Sequence, residues 1–223
     1  MAMSLHDRLK RLVVQPALGA ALLLVVAGSP MVSVAMAAPL HVLVYGDSLV
    51  AGLGLPQGDG FVPQLQAALD KDGLDVELIN GGVSGDTTAT ALGRLDWVLG
   101  GNPDAAIVEL GANDMLQGLP VSETRSNLDT ILKAMAGRGM PILIAGMRAN
   151  RGLGPDYVKA FESLYPDLAR KYGTMLYPFY LEGVAMDPKL NQADMMHPNK
   201  AGVAEIVRRI EPYVRKLVEA ARP

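Results

Sequence analysis

No cysteine occurs in the 223 residues, which excludes disulfides, thiolate metal sites and a cysteine nucleophile together. Histidine is nearly as scarce: His6, His41 and His197 are the only imidazoles on which base catalysis or zinc binding could rest. Aromatic residues make up 5% of the chain and charged residues 19%, and a net charge of −3 comes with no long basic run to track a phosphate backbone. Nucleic acid is therefore not an expected partner. Half of the composition is hydrophobic, with 24 Gly and 15 Pro, which is too apolar for disorder and fits one globular domain.

The N-terminus reads as a secretory signal peptide over residues 1–37. His6, Arg8, Lys10 and Arg11 make a positive start, Ala17 to Gly28 is apolar, and Ala35-Met36-Ala37 is a small-x-small cleavage site. A membrane anchor is the competing reading. Gln15-Pro16 and Ser29-Pro30 bracket the apolar run, which falls short of the roughly 20 residues that cross a bilayer. The expectation is a mature chain from Ala38, a single domain over 38–223, no integral anchor, and a periplasmic or secreted bacterial protein.

Five short apolar runs bounded by Gly, Asn or Pro predict buried strands: His41 to Tyr45, Val76 to Ile79, Ala105 to Leu110, Ile142 to Ala145 and Thr174 to Tyr177. Between and after them helical periodicity predicts Phe61 to Lys71, Thr87 to Leu99, Val121 to Ala136, Pro155 to Tyr172 and Asn199 to Glu219. Such alternation demands right-handed crossovers, and so an α/β fold: a three-layer αβα sandwich on a five-stranded parallel sheet. Ligands in that architecture sit beyond the carboxyl ends of the strands. The first three runs lead there into Gly46-Asp47-Ser48-Leu49, Asn80 to Asp86, and Gly111-Ala112-Asn113-Asp114.

Ser48 lies just beyond Gly46, where a tight turn could lift its hydroxyl above the sheet, although a serine capping the next segment would look the same. Val50 stands where the G-x-S-x-G elbow needs its second glycine, so that motif is absent. His6 leaves with the leader and His41 opens a strand, which makes His197 the imidazole available as base. Pro198 keeps it out of a helix, and a turn could fold Asp194 onto Nδ1-H and leave Nε2 free for a serine proton. A solvated surface pair is the alternative. Gly85 could offer an unobstructed backbone N-H and Asn113 a neutral amide as oxyanion donors, or these could be a turn glycine and an Asx turn, with Asp86 capping the next helix. Their joint fall on the sheet rim is what the bland readings leave unexplained. Neither a dinucleotide fingerprint nor a P-loop is present, and one imidazole with Asp194, Asp47 or Asp114 is a thin basis for a metal.

These residues resemble the GDSL or SGNH hydrolases in four blocks taken in order: Gly46-Asp47-Ser48-Leu49, Ser84-Gly85-Asp86-Thr87, Gly111-Ala112-Asn113-Asp114 and Asp194-Met195-Met196-His197-Pro198. The likeness covers residues 40 to 215. Val108-Glu109-Leu110-Gly111 and Tyr177-Pro178-Phe179 are similar to the arylesterase and thioesterase I/protease I/lysophospholipase branch, which is typically periplasmic. The resemblance implies a flavodoxin-like SGNH hydrolase fold and a cofactor-free, metal-free serine esterase. Its nucleophile would be Ser48, its base His197 and its orienting carboxylate Asp194. The oxyanion hole would be formed by the Ser48 and Gly85 N-H groups with the Asn113 side chain, and Asp47 and Asp114 would be structural. Substrates would be small acyl esters or thioesters, lysophospholipids among them. The chain departs from the branch at Met147 to Gly154, where relatives carry a Leu-Pro-Pro-Asn-Tyr-Gly type of stretch, so chain-length preference does not transfer. An O-acetylesterase acting on acetylated carbohydrate or peptidoglycan would use the same residues. A noncatalytic ligand-binding αβα domain would have no need for them.

Overall fold

The computed structural model describes residues 38–222, so the expected leader lies outside the described residues. In chain order the elements are β1 (Leu40–Gly46), α1 (Ser48–Ala51), α2 (Phe61–Lys71), β2 (Val76–Gly82), α3 (Thr88–Gly93), α4 (Leu95–Leu99), β3 (Ala105–Glu109), α5 (Ala112–Leu116), α6 (Val121–Ala136), β4 (Ile142–Ala145), α7 (Pro155–Tyr172), β5 (Met175–Tyr177) and α8 (Lys200–Ala221). All neighbouring strands pair in parallel, in the order β2-β1-β3-β4-β5. β1 and β3 are buried from Val42 to Gly46 and along their whole length respectively, which is why both read as continuous apolar runs and not as alternation.

Right-handed crossovers send α2 and α8 to one face of the sheet and α3, α6 and α7 to the other. α8 lays Val203, Ile206, Val207, Ile210, Val214, Leu217 and Val218 on the core, the 3–4 spacing of one helix face. Truncating Ile206, Ile210 or Leu217 to alanine would cost roughly 2–5 kcal/mol, the lost transfer energy plus the cavity left behind. Among the described residues no helix is long and apolar enough to cross a membrane.

The order 2-1-3-4-5 places a topological switch point between β1 and β3, where successive connections depart in opposite directions and a crevice opens at the strand ends. Register aligns Gly46 with Gly82 and with Glu109, so β1, β2 and β3 stop at one height.

Several boundaries differ from expectation. β2 continues to Gly82 because Asn80, Gly81 and Gly82 stay paired with β1, polar though the segment is. The helix expected from Thr87 to Leu99 is two, broken at Arg94, which leaves helical geometry at φ −109°, ψ 7° as its side chain turns inward. α1 and α5 were not expected: four and five residues are too few to show a period.

Candidate active site

Asp47 caps α1, its carboxylate accepting from the Leu49 N-H at 3.0 Å, and Ser48 is the first residue of that helix. The sheet ends directly beneath. A Cβ on Gly46 would lie 2.4 Å from Val50 Cγ2 and 2.8 Å from the Glu109 carbonyl, and one on Gly82 would lie 2.4 Å from the Ala51 nitrogen. These two glycines allow α1 to rest on the strand ends with Ser48 facing the crevice.

The Ser48 hydroxyl is 2.9 Å from His197 Nε2, across 149 residues of sequence. On the other side of the ring, Nδ1 is 2.5 Å from Asp194 Oδ2. The segment between them is tightly wound: Met195 has φ +59°, in the left-handed region that non-glycine residues rarely adopt, and Asp194 Oδ1 accepts from the Met196 and His197 N-H groups at 2.9 and 3.0 Å. Those backbone donors, that of His197 above all, and the ring itself hold the Asp194 carboxyl down to about 2. An ionised carboxylate can only accept, so Nδ1 carries the proton and the Nε2 lone pair faces the Ser48 hydroxyl. His41 lies elsewhere, against Glu77 and Asp104 at the start of β1.

The three expected oxyanion donors stand on the three aligned strand ends. The Ser48 and Gly85 N-H groups meet no acceptor among the described residues. Gly85 is exposed, at φ +88°, and is not among the residues lining the cavity described below. The Asn113 amide donates to Asp47 Oδ2 at 3.1 Å and to the Asp86 carbonyl at 3.0 Å, which ties the three strand ends together. Asp86 does not cap the following helix. Thr87 does, in a reciprocal capping box with Thr90, and the Asp86 carboxylate instead pairs with Arg94 at 2.6 Å. Asp114 accepts from the Thr88 N-H at 2.8 Å, the Thr88 hydroxyl at 2.5 Å and the Thr124 hydroxyl at 3.3 Å, holding α3, α5 and α6 together.

One buried acid beneath the serine was not singled out from the sequence. Glu109 ends β3 with no exposure, its Oε2 taking a long 3.5 Å contact from the Asp47 N-H and its Oε1 without a partner among the described residues. Burial, and for Glu109 the neighbouring Asp47 charge, raises both carboxyls above the ordinary range, Asp47 to about 6. Burial therefore favours the protonated form of Glu109 beneath the Ser48 turn. A lone charge inside the apolar run Ala105 to Leu110 was the available signal.

Ser48 and His197 open onto a cavity of about 560 Å³ whose walls include Leu49, Met115, Leu116, Met147, Phe179, Leu181, Met195 and Met196. Arg148, Ala149, Asn150 and Arg151, from the stretch that departs from the expected pattern, form another side. Among the described residues no group of three or more His, Asp and Glu side chains is placed to hold a metal ion.

Residues 44–204 match the profile of the GDSL-like Lipase/Acylhydrolase family. "Esterase TesA" of Pseudomonas aeruginosa is 35% identical over 82% of this chain and 91% of its own length. "Thioesterase 1/protease 1/lysophospholipase L1" of Escherichia coli strain K12 is 33% identical over 71% of this chain and 75% of its own. Among solved structures, AlinE4, described as an SGNH-hydrolase family esterase, is 46% identical with a TM-score of 0.69, covering 81% of this chain and 97% of that one.

Proposed function

Because the chain belongs to the GDSL-like lipase/acylhydrolase family and is a serine ester hydrolase, we propose that it works through an acyl-enzyme on Ser48, with His197 as base and Asp194 as its orienting carboxylate. The observation that carries this reading is the continuous relay from Ser48 Oγ through His197 to Asp194, at 2.9 and 2.5 Å. Oγ attacks the carbonyl carbon while its proton passes to Nε2, and the ionised Asp194 stabilises the imidazolium that forms. The carbonyl oxygen becomes an oxyanion between the Ser48 N-H, the Gly85 N-H and the Asn113 amide, which releases one of its two present acceptors to meet it. On collapse Nε2 returns the proton to the leaving alkoxide or thiolate. Water then enters, gives its proton to the same nitrogen, and releases the acid with Ser48 restored.

The cavity supports a reading of the substrate class. An acetyl group would leave most of 560 Å³ of largely apolar space unfilled, whereas a longer acyl chain removes its own surface and the wall from water together. This favours acyl esters, thioesters and lysophospholipids over acetylated sugars. The test is kcat/KM for aryl esters and acyl thioesters graded from acetyl to palmitoyl, beside a lysophospholipid and acetylated sugars, on wild type and Ser48→Ala. Rising values beyond acetyl, lost in Ser48→Ala, are expected. Preference for acetyl sugars would make it an O-acetylesterase, and full turnover in Ser48→Ala would remove the mechanism.

Export belongs to the same proposal, resting on the leader pattern of residues 1–37. Sequencing the mature protein from a periplasmic fraction should begin at Ala38, and an intact Met1 in membranes would overturn it.

A further inference from the structure

The oxyanion donors are spread over three strand ends, and one side chain bonds to two of them, to the backbone of one and to a carboxylate of the other. Arg94, at the break between α3 and α4, donates from Nε to Asp86 Oδ2 at 2.6 Å and from Nη2 to the Gly46 carbonyl at 3.1 Å. Its guanidinium lies over the Tyr45 ring, 4.3 Å from the centroid, and the Tyr45 hydroxyl donates back to the Ala91 carbonyl in the helix that ends on Arg94. Both partners are well covered, the side chains of Arg94 and Asp86 being 18% and 9% exposed.

Gly46 is two residues before Ser48, and its carbonyl also accepts from the Val83 N-H at 3.1 Å. Asp86 follows Gly85, and its carbonyl is one of the two acceptors that aim the Asn113 amide. From these contacts we infer that Arg94 is a positioning residue for the oxyanion hole, clamping the turn that presents the Ser48 N-H to the loop that presents the Gly85 N-H and, through the Asp86 carbonyl, setting the Asn113 amide. This deepens the proposed function and rests on it. A planar fork with donors in two directions and a stackable face can make all three contacts at once; a lysine ammonium, a point charge on a flexible stem, cannot.

The clamp acts on geometry that matters only as the tetrahedral intermediate forms, so its loss should lower kcat and leave KM nearly unchanged. The experiment measures kcat, KM and thermal melting for Arg94→Ala and Arg94→Lys on an aryl ester, with and without guanidinium chloride at a concentration the wild type tolerates. Misplacement of about 1 Å is enough for a loss of about 100-fold, and that is the kcat loss expected in both variants. Added guanidinium should restore part of it in Arg94→Ala, whose vacated space admits the ion, and none in Arg94→Lys. Where Arg94→Ala does not fold, Arg94→Lys alone decides: a kcat within about threefold of wild type, with a lowered melting temperature, would make the residue merely structural and overturn the proposal. Ser48→Ala, run in parallel, separates the two readings. If it stays active the acyl-enzyme mechanism fails whatever Arg94 does, and if it is dead while the Arg94 variants keep their kcat only the clamp fails.

Discussion

Asn113 is held by two acceptors before any substrate arrives, which makes its amide both a structural tie and an expected oxyanion donor. Asn113→Ala should lower kcat by on the order of 100 to 1000-fold, the usual effect of removing one such donor, with little change in KM. Asn113→Asp should do worse, since a carboxylate there faces Asp47 and the Asp86 carbonyl with no proton to give either. Kinetics with parallel melting curves would check this, and near wild-type turnover in Asn113→Asp would take the residue out of the mechanism. Below it, Asp47 and Glu109 supply a pH test. Both carboxyls are raised by burial, so across the window between an ordinary carboxylate value and their raised ones the folded protein keeps a proton that the unfolded chain has released. Stability must then fall as pH rises through that window, by up to about 1.4 kcal/mol per pH unit for each proton held. Glu109→Gln keeps a donor beside Asp47 and cannot ionise, so its melting temperature should decline less than wild type between about pH 5 and about pH 8. Parallel curves for the two proteins would contradict a proton held on buried Glu109.

At the scale of elements, the placement of Ser48 depends on α1 lying flat against the end of β2. A methyl on Gly82 would meet the Ala51 nitrogen at 2.4 Å and the Val50 carbonyl carbon at 2.8 Å, both backbone atoms, so α1 itself would have to move. Gly82→Ala should therefore cost roughly 1–3 kcal/mol, at about 2–4 °C of melting temperature per kcal/mol, and lower kcat although Gly82 touches no substrate. Unchanged melting and turnover would show that α1 does not depend on this contact. The long elements were legible in the sequence because α2, α6 and α7 repeat their apolar faces over three or more turns, and the five strands are short apolar runs with turn residues on both sides. The short ones were not. α1 exists because Asp47 caps it and two glycines make room, and the α3–α4 break exists because Arg94 reaches inward, both consequences of tertiary contacts that no local window contains.

The whole molecule shows why so much of the site could be read and some could not. A 2-1-3-4-5 parallel sheet brings the ends of β1, β2 and β3 to one crevice, so small and polar residues after apolar runs converge there whatever their separation in sequence. That convergence made Ser48, Gly85 and Asn113 candidates, and the scarcity of histidine led to His197. Arg94 is not legible in the sequence because a charged residue in a helical segment looks like a solvated one, and Glu109 stands out there only as one charge inside an apolar run. Their inward directions come from packing. The central claim is that one serine among many is activated by this arrangement, and an organophosphonate tests it most directly, since phosphorus is attacked by the same hydroxyl and its oxygen occupies the same hole. Mass spectrometry after treatment should find a single adduct on the peptide containing Ser48, with hydrolysis lost in proportion and neither adduct nor activity in folded Ser48→Ala. An adduct on another serine, or undiminished hydrolysis once Ser48 is modified, would contradict the account.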